Sequence, residues 1–207
     1  MLNTNAKLPV SCKSLLFGSL LVVVLVSSCF VSVYDGVSFF VLGASDKIVS
    51  NEKELRSAIN SGLSKKITIA LDNDITLENK ALIIPADKDI TLTSNKASKY
   101  YKLIGTPFFC TIEVEAGGVL RLDGIVVTHA NGDFGMGLYV HEEGRLVMYS
   151  GEISGNNAGQ HYDEIGYAYE AQGGGVINRG TFEMYDGVIS NNNVHLYGSA
   201  GGVIIAT

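Results

Sequence analysis

The sequence predicts an all-β solenoid: short strands wound into stacked coils, with a short helix capping the N-terminal end. Three observations predict it. Of 207 residues, 46% are apolar and 24 are Gly, but only 3 are Pro; such a composition suits strands parted by tight turns. Short segments of alternating polarity follow one another with no second long helical pattern. The second half of the chain repeats itself at a spacing near 26 residues.

The first 44 residues read as an export segment. Lys7 and Lys13 form a basic start, and Leu15 to Val26 (LLFGSLLVVVLV) an apolar core of signal-peptide length. Gly43, Ala44 and Ser45 offer small residues for cleavage. Apolar character resumes from Val37 to Leu42, so an uncleaved anchor over 15–42, interrupted by Asp35 and Gly36, stays open. So does lipidation of Cys29 within Val26-Ser27-Ser28-Cys29. Every one of these readings places residues 46–207 outside the cytoplasm, secreted or at the cell surface, with membrane contact only through the N-terminal segment.

The folded part opens with a helix. Asn51 and Glu54 have capping-box spacing, Leu55, Ala58 and Ile59 share one face, and Gly62 is a stop signal. A one-sided helix this short needs something to cover, so it is expected to close the end of the first coil. Strands follow at Ile67/Ile69/Leu71, Ile75/Leu77 and Ile90/Leu92. Turn signals at Asp72-Asn73-Asp74, Pro85-Ala86-Asp87 and Ser94-Asn95 separate them.

The repeat aligns Gly118-Val119-Leu120-Arg121-Leu122, Gly144-Arg145-Leu146-Val147-Met148 and Gly180-Thr181-Phe182-Glu183-Met184. The second and fourth residues after each Gly share a strand face, so Leu120, Leu146 and Phe182 are expected to layer. A second Gly follows (Gly124, Gly151, Gly187), then a second strand (Ile125-Val126-Val127, Glu152-Ile153-Ser154, Val188-Ile189-Ser190). A third begins at Gly137-Leu138, Gly174-Gly175-Val176 and Gly201-Gly202-Val203. The glycines suit corners that need φ > 0, and the Asn run after Ser190 is placed to form a side-chain ladder at one corner. The interval from Gly144 to Gly180 carries about ten extra residues, assigned to Ala158–Gln172. A single coil cannot bury its own core, so stability comes from neighbouring coils. Gly201 to Thr207 matches the start of the coil at Gly174 and stops, so a C-terminally truncated chain is expected.

The run Gly173 to Asn192 (GGVINRGTFEMYDGVISNN after the first Gly) resembles the repeat of pectate-lyase-like right-handed parallel β-helix surface proteins, the adhesin-like repeat family. Val49 to Asn60 and Lys88 to Leu92 resemble the start of such proteins, so the resemblance spans residues 48–207. It implies a right-handed β-helix and carries no activity, because the matching residues build coils. Enzymes of that superfamily cleave acidic polysaccharides. The Asn-Thr-Asp, Asp-Asp, Gly-His-Gly and Arg-Ile-Lys motifs of polygalacturonase-like members do not occur here. For the arginine base of a lyase, only Arg56, Arg121, Arg145 and Arg179 are available.

Function classes narrow further. Removing Lys7, Lys13 and Asp35 from 15 basic and 21 acidic residues leaves 13 and 20. A mildly acidic surface without a basic stripe argues against nucleic acid as a partner. Asp72-Asn73-Asp74 with Glu78 lacks an EF-hand frame. The histidines His129, His141, His161 and His195 lack metal spacing, and Cys110 in its apolar setting reads as a buried core residue. The reading is therefore a non-enzymatic secreted or surface protein, adhesin-like or envelope-displayed, with no catalytic residues, metal or cofactor. The alternative is a polysaccharide-binding or lyase-type protein for acidic glycans. Partners are expected among cell-surface glycans or other surface proteins. The candidate ligand residues are Tyr162, Asp163, Glu164, Tyr167 and Tyr169, where rings beside carboxylates suit a sugar.

Overall fold

A computed structural model describes residues 47–61, 65–96, 98–159, 174–194 and 201–205 in full, and the backbone alone of 22–26, 29–34, 37–40, 161–162 and 168–169. The chain divides into two compact units, Met1–Ala44 and Ser45–Thr207. In the first, β1 (Val22–Val26), β2 (Cys29–Tyr34) and β3 (Val37–Phe40) form an antiparallel sheet in that order. Among the described residues, no helix is long and apolar enough to cross a membrane.

The second unit is predominantly β, and its described sheets are parallel apart from one small antiparallel pair. It begins with β4 (Lys47–Val49) and α1 (Glu52–Asn60). Five levels of strands follow. The first holds β5 (Lys66–Leu71), β6 (Ile75–Thr76) and β7 (Leu82–Ile84). The second holds β8 (Asp89–Ser94), β9 (Tyr101–Gly105) and β10 (Ile112–Val114). The third has β11 (Val119–His129) and β12 (Leu138–Val140). In the fourth, β13 (Arg145–Ser154) and β14 (Asn157–Ala158) come first. A small antiparallel hairpin then intervenes, β15 (His161–Tyr162) with β16 (Ala168–Tyr169), before β17 (Val176–Asn178). The fifth holds β18 (Thr181–Met184), β19 (Val188–Ser190), β20 (Asn193–Val194) and β21 (Val203–Ile205).

Like strands of successive levels pair with each other. The first sheet runs β18-β13-β11-β8-β5-β4 and another runs β21-β17-β12-β10-β7. Register explains the repeat. Ile67, Ile90, Leu120, Leu146 and Phe182 are partners level by level, as are Ile69, Leu92, Leu122, Met148 and Met184. Ile75, Leu103, Val127, Ile153 and Ile189 form a second apolar column, and Leu82, Ile112, Leu138, Val176 and Val203 a third. These side chains belong to one core, with Phe182, Ile189 and Val203 packed half-buried against it, except Met184 at the last level, which is exposed. Fully burying a Leu or Ile stabilises by about 1.5–3 kcal/mol.

The first and second strands of the repeat, read as separate, run continuously in β11 and β13. Gly124 (φ +88°) and Gly151 (φ +108°) bend the strand, and the register shifts between Leu122 and Val126 without ending the ladder. This is bulge behaviour. On the fifth level the same bend, at Gly187, parts β18 from β19.

Helix α1 forms where its cap dictates. The Glu54 N–H donates to Asn51 Oδ1 (3.0 Å), and the Ser50 N–H donates to Glu54 Oε2 (2.8 Å). The reciprocal bond thus reaches one residue further back than in the standard box. Leu55, Ala58 and Ile59 are buried in the shared core, as the spacing predicts. Arg56 clamps the helix to the first level, donating to Ala81 O (2.9 Å) and Lys80 O (2.7 Å) while paired with Glu52 (2.8 Å). The helix ends at Asn60 with Ser61 as its cap; Gly62 lies outside the described residues.

A methyl on Gly151 would sit 2.4 Å from Ile125 O at a φ that L-residues avoid. Gly132 shares a positive φ (+89°), but a methyl there meets open space. Gly151→Ala is expected to destabilise by about 3 kcal/mol or more, and Gly132→Ala by only ~1 kcal/mol. Chemical denaturation of both variants checks this; equal costs would show that crowding at 151 is not what the glycine relieves.

Candidate functional site

Of the sequence-predicted ligand residues, Tyr162 and Tyr169 lie in the β15–β16 hairpin, where His161 pairs with Tyr169 and Tyr162 with Ala168. The backbone therefore brings these two positions within one pair of strands. Asp163, Glu164 and Tyr167 lie outside the described residues.

The outer face of the first sheet carries a lattice of paired polar groups. Side chains alternate along each strand, so with Leu120 and Leu122 inward, Arg121 faces out. Its Nε and Nη2 donate to the two carboxylate oxygens of Asp89 at 2.7 and 3.0 Å, and its Nη1 to Tyr149 Oη at 3.1 Å. The hydrogen bond to Asp89 holds the guanidinium pKa above its ordinary value. Arg145 donates to Glu183 Oε1 at 3.0 and 2.7 Å. Tyr185 donates to Glu183 Oε2 at 3.1 Å, which raises the phenol pKa. The rings of Tyr149 and Tyr185 stack across levels, 5.4 Å between centroids and 15° between planes.

On the sheet that contains β10, β12 and β17, Glu113 Oε1 lies 2.6 Å from His141 Nε2. The Tyr139 ring meets His141 edge-on at 4.6 Å, and Arg179 lies 5.8 Å from the Tyr139 centroid. All four arginines available to a lyase thus have partners. Asp72 Oδ1 accepts from Asn95 Nδ2 (3.1 Å), tying turn to turn, and Asp74 Oδ1 from the Lys102 N–H (3.0 Å), tying that turn to β9. Among the described residues, no group of three or more His, Cys, Asp or Glu side chains is placed to hold a metal ion.

One corner holds a polar ladder. Asn156 Nδ2 donates to Asn192 Oδ1 (2.9 Å) and to Val127 O (3.2 Å); Asn192 Nδ2 donates to Ile153 O (2.8 Å). These bonds fix the amide of Asn156, leaving its Oδ1 2.9 Å from His129 Nδ1. His129 occupies the level below, buried, with Nε2 3.1 Å from Phe109 O and Thr111 Oγ1 3.4 Å from Nδ1. Gly105 and Gly135 flank the imidazole, and a methyl on either would come within 2.4 Å of Nε2. The Asn pair follows the expected ladder. The histidine does not, because no local pattern marks an imidazole as the ladder's continuation.

Cys110, read as a buried core residue, is half-buried in the turn before β10, where Thr111 and Ile112 are both fully covered instead. Burial, then the nearby Glu113 charge, pushes its thiol up to about 12.

No family model, curated protein or solved structure matches this chain.

With Cys12 and Cys29 replaced by Ser, Cys110 is expected to react with a disulfide reagent at pH 8 on the order of a thousandfold more slowly folded than in urea. The thiol stays protonated in the folded state while the unfolded thiol ionises from about pH 9. The stability it contributes is therefore complete below about pH 9 and lost as pH rises toward 12, by up to ~1.4 kcal/mol per pH unit. A rate equal to that in urea would contradict the burial. Asn156→Ala, which leaves several buried groups without partners, is expected to cost about 3 kcal/mol in denaturant titration.

Proposed function

We propose that the Ser45–Thr207 unit is a right-handed parallel β-helix of the pectate-lyase-like kind. It serves as a non-enzymatic module, adhesin-like or displayed on the envelope, and is secreted or held at the cell surface. The coil reading draws support from parallel pairing of like strands at five levels and from the apolar columns in register. The export reading draws on the basic start and apolar core of residues 7–26.

The observation that carries the non-enzymatic reading is the pairing of the outer-face charges. Arg121 is spent on Asp89, Arg145 on Glu183 and Arg56 on Glu52. Elimination at an acidic sugar needs an arginine or comparable base aimed at substrate and acids free to gather a cation. Here Arg121 and Arg145 pair with acids of the neighbouring level, and Arg56 with an acid of its own helix. That arrangement stiffens a flat surface and leaves little for chemistry.

Antibody against the exported unit is expected to label intact cells, and external protease to remove the signal. Purified protein is expected to give no unsaturated-product absorbance on pectin or related acidic polymers with calcium present. Recovery of the whole pool in the cytosol would overturn the display role, and product absorbance lost in Arg121→Ala would overturn the non-enzymatic one.

A further inference from the structure

Two turns on successive levels meet at one corner and expose aromatic rings. The first is Thr106–Phe109, between β9 and β10; the second is Ala130–Phe134, between β11 and β12. Phe108 is 54% exposed, Phe109 48% and Phe134 36%. The rings of Phe108 and Phe134 lie 6.3 Å apart with planes 25° from parallel. Both turns are fastened. The Phe108 N–H donates to Phe134 O (2.5 Å) and the Asp133 N–H to Ala130 O (3.0 Å). His129, locked into the asparagine ladder, places its Nε2 3.1 Å from the Phe109 carbonyl oxygen.

Phe108 also sits at φ +68°. A bulky residue in the left-handed region is a true outlier, and strain of that kind gathers at functional positions. Here one side chain carries two costs together, a strained backbone and an apolar ring about half exposed to water. Glycine would remove both.

We infer that Phe108, Phe109 and Phe134 form a binding ledge for a neutral glycan. The inference rests on the surface-module reading and names a ligand for it. Size selects the ligand class. Three rings of this exposure offer on the order of 300 Å², well below the roughly 800 Å² per side of a stable protein interface. A few hexose units fit that area, stacking their C–H faces on the rings. Charge selects within the class. Across Thr106–Cys110 and Ala130–Gly135 the only charged residue is Asp133, beside Asn131. An anionic glycan meets repulsion there, and both turns lack the Lys and Arg that flank the interfacial anchors of a bilayer. A carboxylate and an amide suit sugar hydroxyls.

The test uses the full exported chain on an array of neutral and acidic glycans, with phosphatidylcholine vesicles alongside. The wild type is expected to bind neutral glycans, and Phe134→Ala to bind at least tenfold more weakly. Phe108→Gly is the sharper variant. It is expected to lose binding by a similar factor while its melting midpoint holds or rises, because strain is relieved. A ring kept only for packing would instead lower the midpoint. The inference is overturned if the wild type binds no neutral glycan, binds only acidic glycans or vesicles, or if both variants bind unchanged. Surface labelling of cells is independent of each of these results, so the display role stands or falls separately.

Discussion

In a parallel ladder each strand satisfies its backbone groups only through the strands above and below. Level spacing is therefore set by hydrogen bonds, and a side chain's nearest long-range neighbours are its register partners. Ile67, Ile90, Leu120, Leu146 and Phe182 stand in one column for this reason. Ile90, Leu120 or Leu146 replaced by a polar group would bury that group between two apolar neighbours. Repetition of residue class at each level is thus a packing requirement.

The same constraint governs the turns. Where the backbone of one level approaches that of the next, side chains have no room. A methyl on Gly137 would sit 2.5 Å from Gly175 O, and one on Gly175 would sit 2.5 Å from Gly202 O. Glycine follows glycine up that edge because the next level's carbonyl occupies the space a Cβ would need. At the asparagine corner the solution is different. The side chain supplies the inter-level bond itself, and the Asn193 N–H adds a backbone bond to Asn156 O (2.8 Å).

What was legible in the sequence follows from this division. Columns were readable because stacking repeats residue class, and the glycine triplets because stacking repeats geometry. The α1 cap was readable from Asn51 and Glu54 alone. Contacts between unlike residues on different levels left no periodic trace. Nothing local joins Asp89 to Arg121, or Glu113 to His141, because each pair is set by register between levels. His129 was opaque for the same reason, and exposure of Phe108 and Phe109 was hidden because an apolar Phe-Phe pair reads as core. The ligand-residue reading placed on the Tyr-rich insertion reaches the described residues only at Tyr162 and Tyr169.

Departures from the column rule therefore carry the most information about individual residues. Asn178 stands where Ile84, Val114 and Val140 stand below it and Ile205 above. It is buried, and its Nδ2 donates to Gly180 O (3.0 Å). Its Oδ1 makes no hydrogen bond among the described residues. A buried amide half-satisfied in an apolar column costs stability that Val would not. What it secures is the turn into Gly180, where a methyl would come within 2.1 Å of Gly144 O. The level whose entry leaves the least room is the one in which a core position is given up to hold the backbone in place.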